Sequence, residues 1–204
     1  MGEPIVAAWL SRSSLDVAPE LIGCTLVRRF ASGEELRGMI VETEAYTVND
    51  PACHAYRRRT ARNQVMFGPA GFSYIYKIYG MYHCFNVVTD GDGIPSAVLI
   101  RALQVDHSLS TAVAHIQHQS PDKPHRVAAG PGKLCRWMQI DTSLSSTPLV
   151  PGSPLWLEQR SPAIQQAFDD GTHTLVQTTR IGISQGTELP WRWYLNESPA
   201  VSRR

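Results

Sequence analysis

The sequence predicts a single α+β domain: a mostly antiparallel, curved sheet with flanking helices and a protruding β-hairpin. Three observations lead there. Short runs rich in β-branched and aromatic residues recur along the chain, bounded by Gly, Pro, Asn or Asp. Helical periodicity is confined to brief segments between them. The 204 residues contain no internal repeat and fit one domain spanning 1–204.

In chain order, Leu15, Ala18, Leu21 and Ile22 place a short helix within residues 11–26, closed by Gly23, with a strand over 24–28. Residues 39–46 form the first strong strand, since Ile40, Val41 and Thr43 favour a pleated surface. Strands over 74–79 and 81–88 flank a turn at Gly80 and read as a hairpin. An apolar strand follows over 96–103, then a helix over 108–119. A second helix over 131–140 opens on Gly-Pro-Gly, and the three prolines of 147–154 mark a loop. Further strands are expected over 155–160, 174–183 and 191–195.

Hydrophobic residues make up 43% and charged residues 18% of the chain, the balance of a soluble globular protein. A chain of this length buries about 70% of its unfolded surface and needs neither disulfides nor a metal to hold a core. Cys24, Cys53, Cys84 and Cys135 include no C-x-x-C pair, which excludes zinc-ribbon and thioredoxin motifs. His115 and His118 have helical spacing but no third ligand, so no metal or cofactor is expected. The start carries Glu3 and only a short apolar run, unlike a signal peptide. Val6 breaks the myristoylation pattern. No apolar run is long enough to span a membrane, so no membrane partner and a cytoplasmic location are expected.

The formal charge of +1 argues against a wholly basic nucleic-acid binder, but it averages two unlike parts. Between Asp50 and Asp90 there is no acidic residue, while Arg57, Arg58, Arg59, Arg62 and Lys77 all fall there. Six of the seven tyrosines lie between Tyr46 and Tyr82. Basic groups hold phosphates and aromatic faces stack on bases, although a solvated arginine loop beside a tyrosine-rich core strand has the same composition.

On the strand Val41-Glu42-Thr43-Glu44-Ala45-Tyr46, alternation turns Val41, Thr43 and Ala45 toward the core and Glu42, Glu44 and Tyr46 to the other face. Carboxylates at i and i+2 stand about 6.5–7 Å apart and disfavour each other's ionisation unless a cation intervenes. Arg101, at the end of the apolar run Val98-Leu99-Ile100, is the candidate cation.

These segments, together with Ala52-Cys53-His54, Thr60-Ala61-Arg62-Asn63, Met66-Phe67-Gly68-Pro69, Tyr74-Ile75-Tyr76-Lys77-Ile78-Tyr79-Gly80-Met81, Asn86-Val87-Val88, Gly130-Pro131-Gly132-Lys133-Leu134-Cys135 and Arg180-Ile181-Gly182-Ile183, resemble the 3-methyladenine (alkyladenine) DNA glycosylase family. The resemblance runs from Leu21-Ile22-Gly23 to the C-terminal region. It implies a monomeric enzyme that binds damaged double-stranded DNA from the minor-groove side and flips a purine into a pocket. Such a protein would be DNA-associated, and nuclear or organellar in a eukaryote.

Carried over residue by residue, the resemblance makes Glu44 the general base that activates water for attack on C1′, with Arg101 fixing both. The Ile181 carbonyl would hold the same water. Tyr46, His54 and Tyr76 would sandwich the flipped base, Asn86 would screen its minor-groove edge, and Leu99 would lie near the recognition strand. Tyr79 would be the wedge filling the vacated stack. Placed three residues after Tyr76 on a continuous strand, it would face the opposite way. Arg57, Arg58, Arg62 and Lys77 would contact DNA. No lysine stands where a Schiff-base nucleophile would, which implies no lyase step. Alkylated or deaminated purines are the implied substrates: 3-methyladenine, 7-methylguanine, hypoxanthine and ethenoadenine. The loop 47–52 is about one residue shorter than the family pattern and lacks a glycine after Tyr46.

Two rivals remain. A catalytically idle damaged-DNA binder could use the same pocket. A sugar hydrolase could use Glu42 and Glu44 as an acid pair, but such carboxylates flank the scissile bond from two sides, which neighbours on one strand face do not.

Overall fold

The computed structural model describes residues 2–105 and 123–204; the helix expected over 108–119, with His115 and His118, lies outside them. Eight strands form one sheet: β1 (Thr25–Arg29), β2 (Glu35–Tyr46), β3 (Ser73–Ile78), β4 (Tyr82–Val88), β5 (Ala97–Val105), β6 (Leu155–Glu158), β7 (Leu175–Thr178) and β8 (Arg192–Leu195). Among the described residues the α-helices are α1 (Ala7–Leu10), α2 (Ser14–Glu20), α3 (Pro131–Trp137) and α4 (Pro162–Asp169). The main path runs β3-β4-β5-β2-β1-β6, with β8 pairing to both β2 and β7. Among the described residues every strand pair is antiparallel, in line with the mostly antiparallel sheet that the sequence predicts.

The long strand β2 organises the sheet. One of its edges pairs with β5. The other is shared, β1 taking Glu35–Met39 and β8 taking Glu42–Glu44. The sheet therefore divides around β2, and the segment holding both glutamates has a partner strand on each side.

Where it divides, the register breaks twice. Ile40 pairs with Leu103 but Glu42 with Ala102, and Thr43 then pairs with Ile100. Val41 on β2 and Arg101 on β5 are the skipped residues. Such an irregularity changes which face the following side chains occupy. Leu36 and Ile40 point into the core before the break, and Val41 and Ala45 after it. The alternation expected for 41–46 holds because it starts at the break.

The main core joins α2, the inner face of the sheet and α3, through fully buried residues including Leu21, Ile40, Phe85, Ile100 and Leu134. Each such side chain stabilises the fold by roughly 1.5–3 kcal/mol. Helix α2 begins at Ser13, whose side chain accepts the Leu15 N–H. It is fastened to β2 by Thr43 Oγ1, which donates to the Ala18 carbonyl at 2.8 Å.

Two expectations are corrected, and one helix is added. The strand predicted over 174–183 stops at Thr178, because the chain turns to bury Arg180. Helix α4 was not expected, although Ser161 caps it by accepting the Ile164 N–H and Pro162 opens it. Strand β3 ends at Ile78, so Tyr79 belongs to the turn itself, with φ +49° beside Gly80 at +71°. Two successive left-handed residues make a hairpin turn that matches the strands' twist. It is closed by Met81 N–H donating to the Ile78 carbonyl.

Candidate active site

A cleft of about 610 Å³ opens between the end of β2, the β3–β4 hairpin and the segment after β7. Tyr46, His54, Tyr76, Asn86, Leu99, Arg101 and Ile181 all line it, and Arg57 and Tyr79 reach its rim. Nine of the sequence-predicted site residues therefore converge on one cavity from five separate segments.

One wall is aromatic. The rings of His54 and Tyr76 meet edge-on with centroids 4.4 Å apart, and Tyr74 lies 5.3 Å from Tyr76. His54 Nδ1 shares a hydrogen bond of 2.8 Å with the Tyr74 hydroxyl. Its remaining surface is exposed. Partial burial, and then the charge of Arg62, lower the His54 pKa, favouring the neutral ring. Burial pushes the Tyr74 phenol up to about 12 and raises those of Tyr76 and Tyr46. This wall is therefore uncharged at neutral pH.

Local structure fixes His54. Asn63, almost fully buried, donates through Nδ2 to the carbonyls of His54 and Arg58, while its Oδ1 accepts the Thr60 N–H. One amide thus clamps the loop that presents Arg57, Arg58 and Arg59 to solvent. Arg62 stacks over Tyr76 at 5.1 Å from its centroid. Arg58, Arg62 and Lys77 are exposed and do not line the cleft.

Asn86 pairs with Tyr74 across the hairpin and donates Nδ2 to its carbonyl at 2.9 Å. A carbonyl can only accept, so this bond sets the amide's orientation and leaves Oδ1 as an acceptor. Helix α3 approaches the same hairpin closely. A Cβ on Gly132 would stand 2.9 Å from the Tyr82 ring, so the second glycine of Gly-Pro-Gly permits that packing.

Glu44 lies behind the cleft and is fully buried. Tyr46, Arg101 and Ile181, which line the cavity, are in direct contact with it. Oε1 accepts the Ile181 N–H at 2.8 Å and ion-pairs with Arg101 Nη1 at 3.2 Å. Oε2 accepts the Tyr46 hydroxyl at 2.8 Å. The Ile181 N–H contact to Glu44 is one the sequence reading does not include; that reading concerns only the Ile181 carbonyl. Burial disfavours the Arg101 charge, but Glu44 and Glu42 outweigh it and raise its pKa.

Residues the sequence reasoning missed hold this geometry. Arg180 makes a buried two-pronged ion pair with Asp50, with Nη2–Oδ1 at 2.8 Å, and donates to the Ala45 carbonyl at 3.0 Å. Its guanidinium stacks between the rings of Tyr46 and Trp191, at 4.7 and 5.1 Å from their centroids. This pair ties the shortened loop 47–52 and the Ile181 segment to the end of β2. The available signal was that Asp50 closes the acid-free stretch and Arg180 opens a matched motif. Among the described residues, no cluster of three or more His, Cys, Asp or Glu could hold a metal, and no helix is long and apolar enough to cross a membrane.

The family profile described as methylpurine-DNA glycosylase (MPG) matches residues 8–199. A protein of Trichodesmium erythraeum is 58% identical over 202 residues, covering 98% of each chain. One from Synechococcus elongatus is 52% identical, covering 96% of this chain and 89% of the relative. One from Methanoculleus marisnigri is 45% identical, covering 97% and 98%. All three carry 3-methyladenine DNA glycosylase as a provisional name.

Proposed function

The chain belongs to the methylpurine-DNA glycosylase family, and on that premise we propose that it is a monofunctional glycosylase that flips damaged purines from duplex DNA and hydrolyses their N-glycosidic bond. Membership makes it a DNA glycosylase for alkylated bases, acting in DNA repair. The finer reading assigns roles to the residues of the cleft.

Glu44 is the general base. A carboxylate offers about four acceptor directions, and Arg101, Ile181 and Tyr46 engage three of them. The fourth is left to take a proton from the attacking water. The same charge stabilises the oxocarbenium-like sugar as the base departs. Arg101 holds Glu44 and the water in register, Ile181 fixes the same carboxylate oxygen, and Tyr46 fixes the other.

Tyr46 stacks on one face of the base, with His54 and Tyr76 on the other. Neutral aromatic faces attract a cationic alkylated purine, whose glycosidic bond is already weakened. Asn86 crowds the guanine N2 amino group, a penalty that 7-methylguanine offsets by its cationic ring and weakened glycosidic bond, and Leu99 completes the apolar floor. The expected substrates are 3-methyladenine, 7-methylguanine, hypoxanthine and ethenoadenine. Tyr79, 86% exposed at the hairpin tip, enters the minor groove and fills the gap left by the flipped base. Arg57, Arg58, Arg62 and Lys77 grip phosphates, and a monomer suffices for one duplex face.

The observation that carries this reading is the convergence of Arg101, Tyr46 and the Ile181 N–H on a buried Glu44 beside an aromatic cleft. The test is incubation with methylated and hypoxanthine-containing duplexes, with and without borohydride. Free base, an intact abasic strand and no trapped adduct are expected. Tight binding without release would instead identify an idle damage binder, and a trapped adduct would identify a lyase.

A further inference from the structure

Glu42 has no part in the reading above, yet it is as deeply buried as Glu44. Its Oε1 accepts from Arg101 Nε at 3.1 Å and from Arg192 Nη1 at 3.0 Å. Its Oε2 accepts the Ser202 N–H at 2.7 Å. Arg192 is braced in turn by the carbonyls of Thr179 and Arg203. The other end of Arg101, Nη1, pairs with Glu44. One guanidinium therefore spans both carboxylates.

This placement matters because Arg101 is the residue the β2–β5 register skips. The ladder does not pair it, so its orientation depends on what its side chain meets. A buried partner left behind by a truncated one is strongly disfavoured, so the cluster acts as a unit.

Charge gives Glu42 a second effect. The groups facing Glu44 are Tyr46 on β2, Tyr76 on β3, Cys84 on β4, Arg101 on β5, Arg192 as its cross-strand neighbour on β8, and Arg180. The two phenols and the thiol are raised by burial and stay neutral near pH 7. Arg180 is committed to Asp50. Glu42, Glu44, Arg101 and Arg192 then balance to zero. Without Glu42, two guanidinium groups would bear on Glu44 alone, and a base so neutralised gives up its proton affinity.

We infer that Glu42 is a positioning residue for base release: it anchors Arg101 across the register break and shares its charge, so that Glu44 keeps both its place and its capacity to accept a proton. The inference rests on Glu44 being the base. It explains why two glutamates share one strand face without forming the acid pair of a sugar hydrolase: Glu42 is held by Arg101, Arg192 and the Ser202 N–H and does not line the cleft.

The test compares Glu42→Gln, Glu42→Gln/Arg192→Gln and Glu44→Gln in single-turnover release of 3-methyladenine across pH, with damaged-duplex binding measured alongside. Glu42→Gln is expected to lose about ten- to hundredfold in rate, part of the factor a general base supplies. Binding should stay within about twofold, and the acidic limb of its pH profile should move to lower pH. The double variant removes one charge of each sign, so it is the form that remains folded if the single variant does not. Its acidic limb should return toward that of the unmodified protein while its rate stays low, because Arg101 still lacks its anchor. An unmodified rate and profile in either variant overturns the inference. So does a rate loss matched by loss of folded protein with no movement of the limb. If Glu44→Gln itself releases base normally, the reading of Glu44 falls and this inference with it. An inactive Glu44→Gln beside a normal Glu42→Gln removes the inference alone.

Discussion

The hydroxyl of Tyr46 donates to Oε2 of Glu44 at 2.8 Å, so the ring that lines the cleft also caps the acid behind it. The two residues share one face of β2, and the Arg180 guanidinium stacks on the ring at 4.7 Å from its centroid. In the proposed mechanism the ring stacks and the hydroxyl only orients. Tyr46→Phe should keep single-turnover base release within about fivefold. Tyr46→Ala should weaken the damaged-DNA complex by roughly five- to 150-fold, the equivalent of a stacking contact of about 1–3 kcal/mol. Release as low in Tyr46→Phe as in Glu44→Gln would assign chemistry to the hydroxyl and contradict this division.

Asp50 and Arg180 form a fully buried pair, and removing one partner leaves the other charged and unsatisfied. Asp50→Asn should cost about 3–5 kcal/mol. At about 2–4 °C per kcal/mol for a chain of this size, melting should fall by roughly 6–20 °C. Because the pair also holds the Tyr46 and Ile181 segments, base release should fall further than the folded fraction does. Calorimetry beside single-turnover assays checks both parts.

His54 has a lowered pKa, from partial burial first and from Arg62 second. Its imidazole therefore stays neutral as pH falls through the ordinary value of about 6.5 and gains charge only below that. Protonation there sets like charges face to face in a complex with a cationic purine. The preference for 3-methyladenine over neutral hypoxanthine should hold above pH 6.5 and decline below the His54 titration. The linked stability has the same sign: it is complete above about pH 6.5 and is lost as pH falls through the folded-state pKa. Arg62→Gln should move the titration upward. An NMR titration of His54 at or above 6.5 in the unmodified protein would refute this.

Tyr79 holds a left-handed conformation, φ +49°, which costs a residue with a side chain on the order of 1 kcal/mol or more. Glycine adopts it freely. Tyr79→Gly should thus raise melting by roughly 2–4 °C while lowering base release from duplexes at least about tenfold. A surface tyrosine without a wedging role would show the gain in stability and no loss of activity.

The part of the site legible in sequence is the part governed by local periodicity. Alternation along 41–46 places Glu42, Glu44 and Tyr46 together, and Arg101 stands between the two carboxylates as its position at the end of an apolar run implied. The register break that flips β2 at Ile40–Val41 was not legible, because a bulge depends on the partner strand as much as on its own. The Asp50–Arg180 clamp spans 130 residues, so local periodicity does not pair the two even though each borders a segment that stands out in the sequence. It also shortens β7, since burying Arg180 turns the chain away from the ladder. Sequence alone puts Tyr79 on the strand because only Gly80 carries a turn signal, whereas the hairpin takes two left-handed residues.

The central claim is that Glu44 is the base. Single-turnover release of 3-methyladenine from a methylated duplex by Glu44→Gln, with damaged-duplex binding measured on the same preparation, tests it most directly. The expected result is binding within a few-fold of the unmodified protein and release reduced by about 10²–10⁴. Release at the unmodified rate would contradict the account.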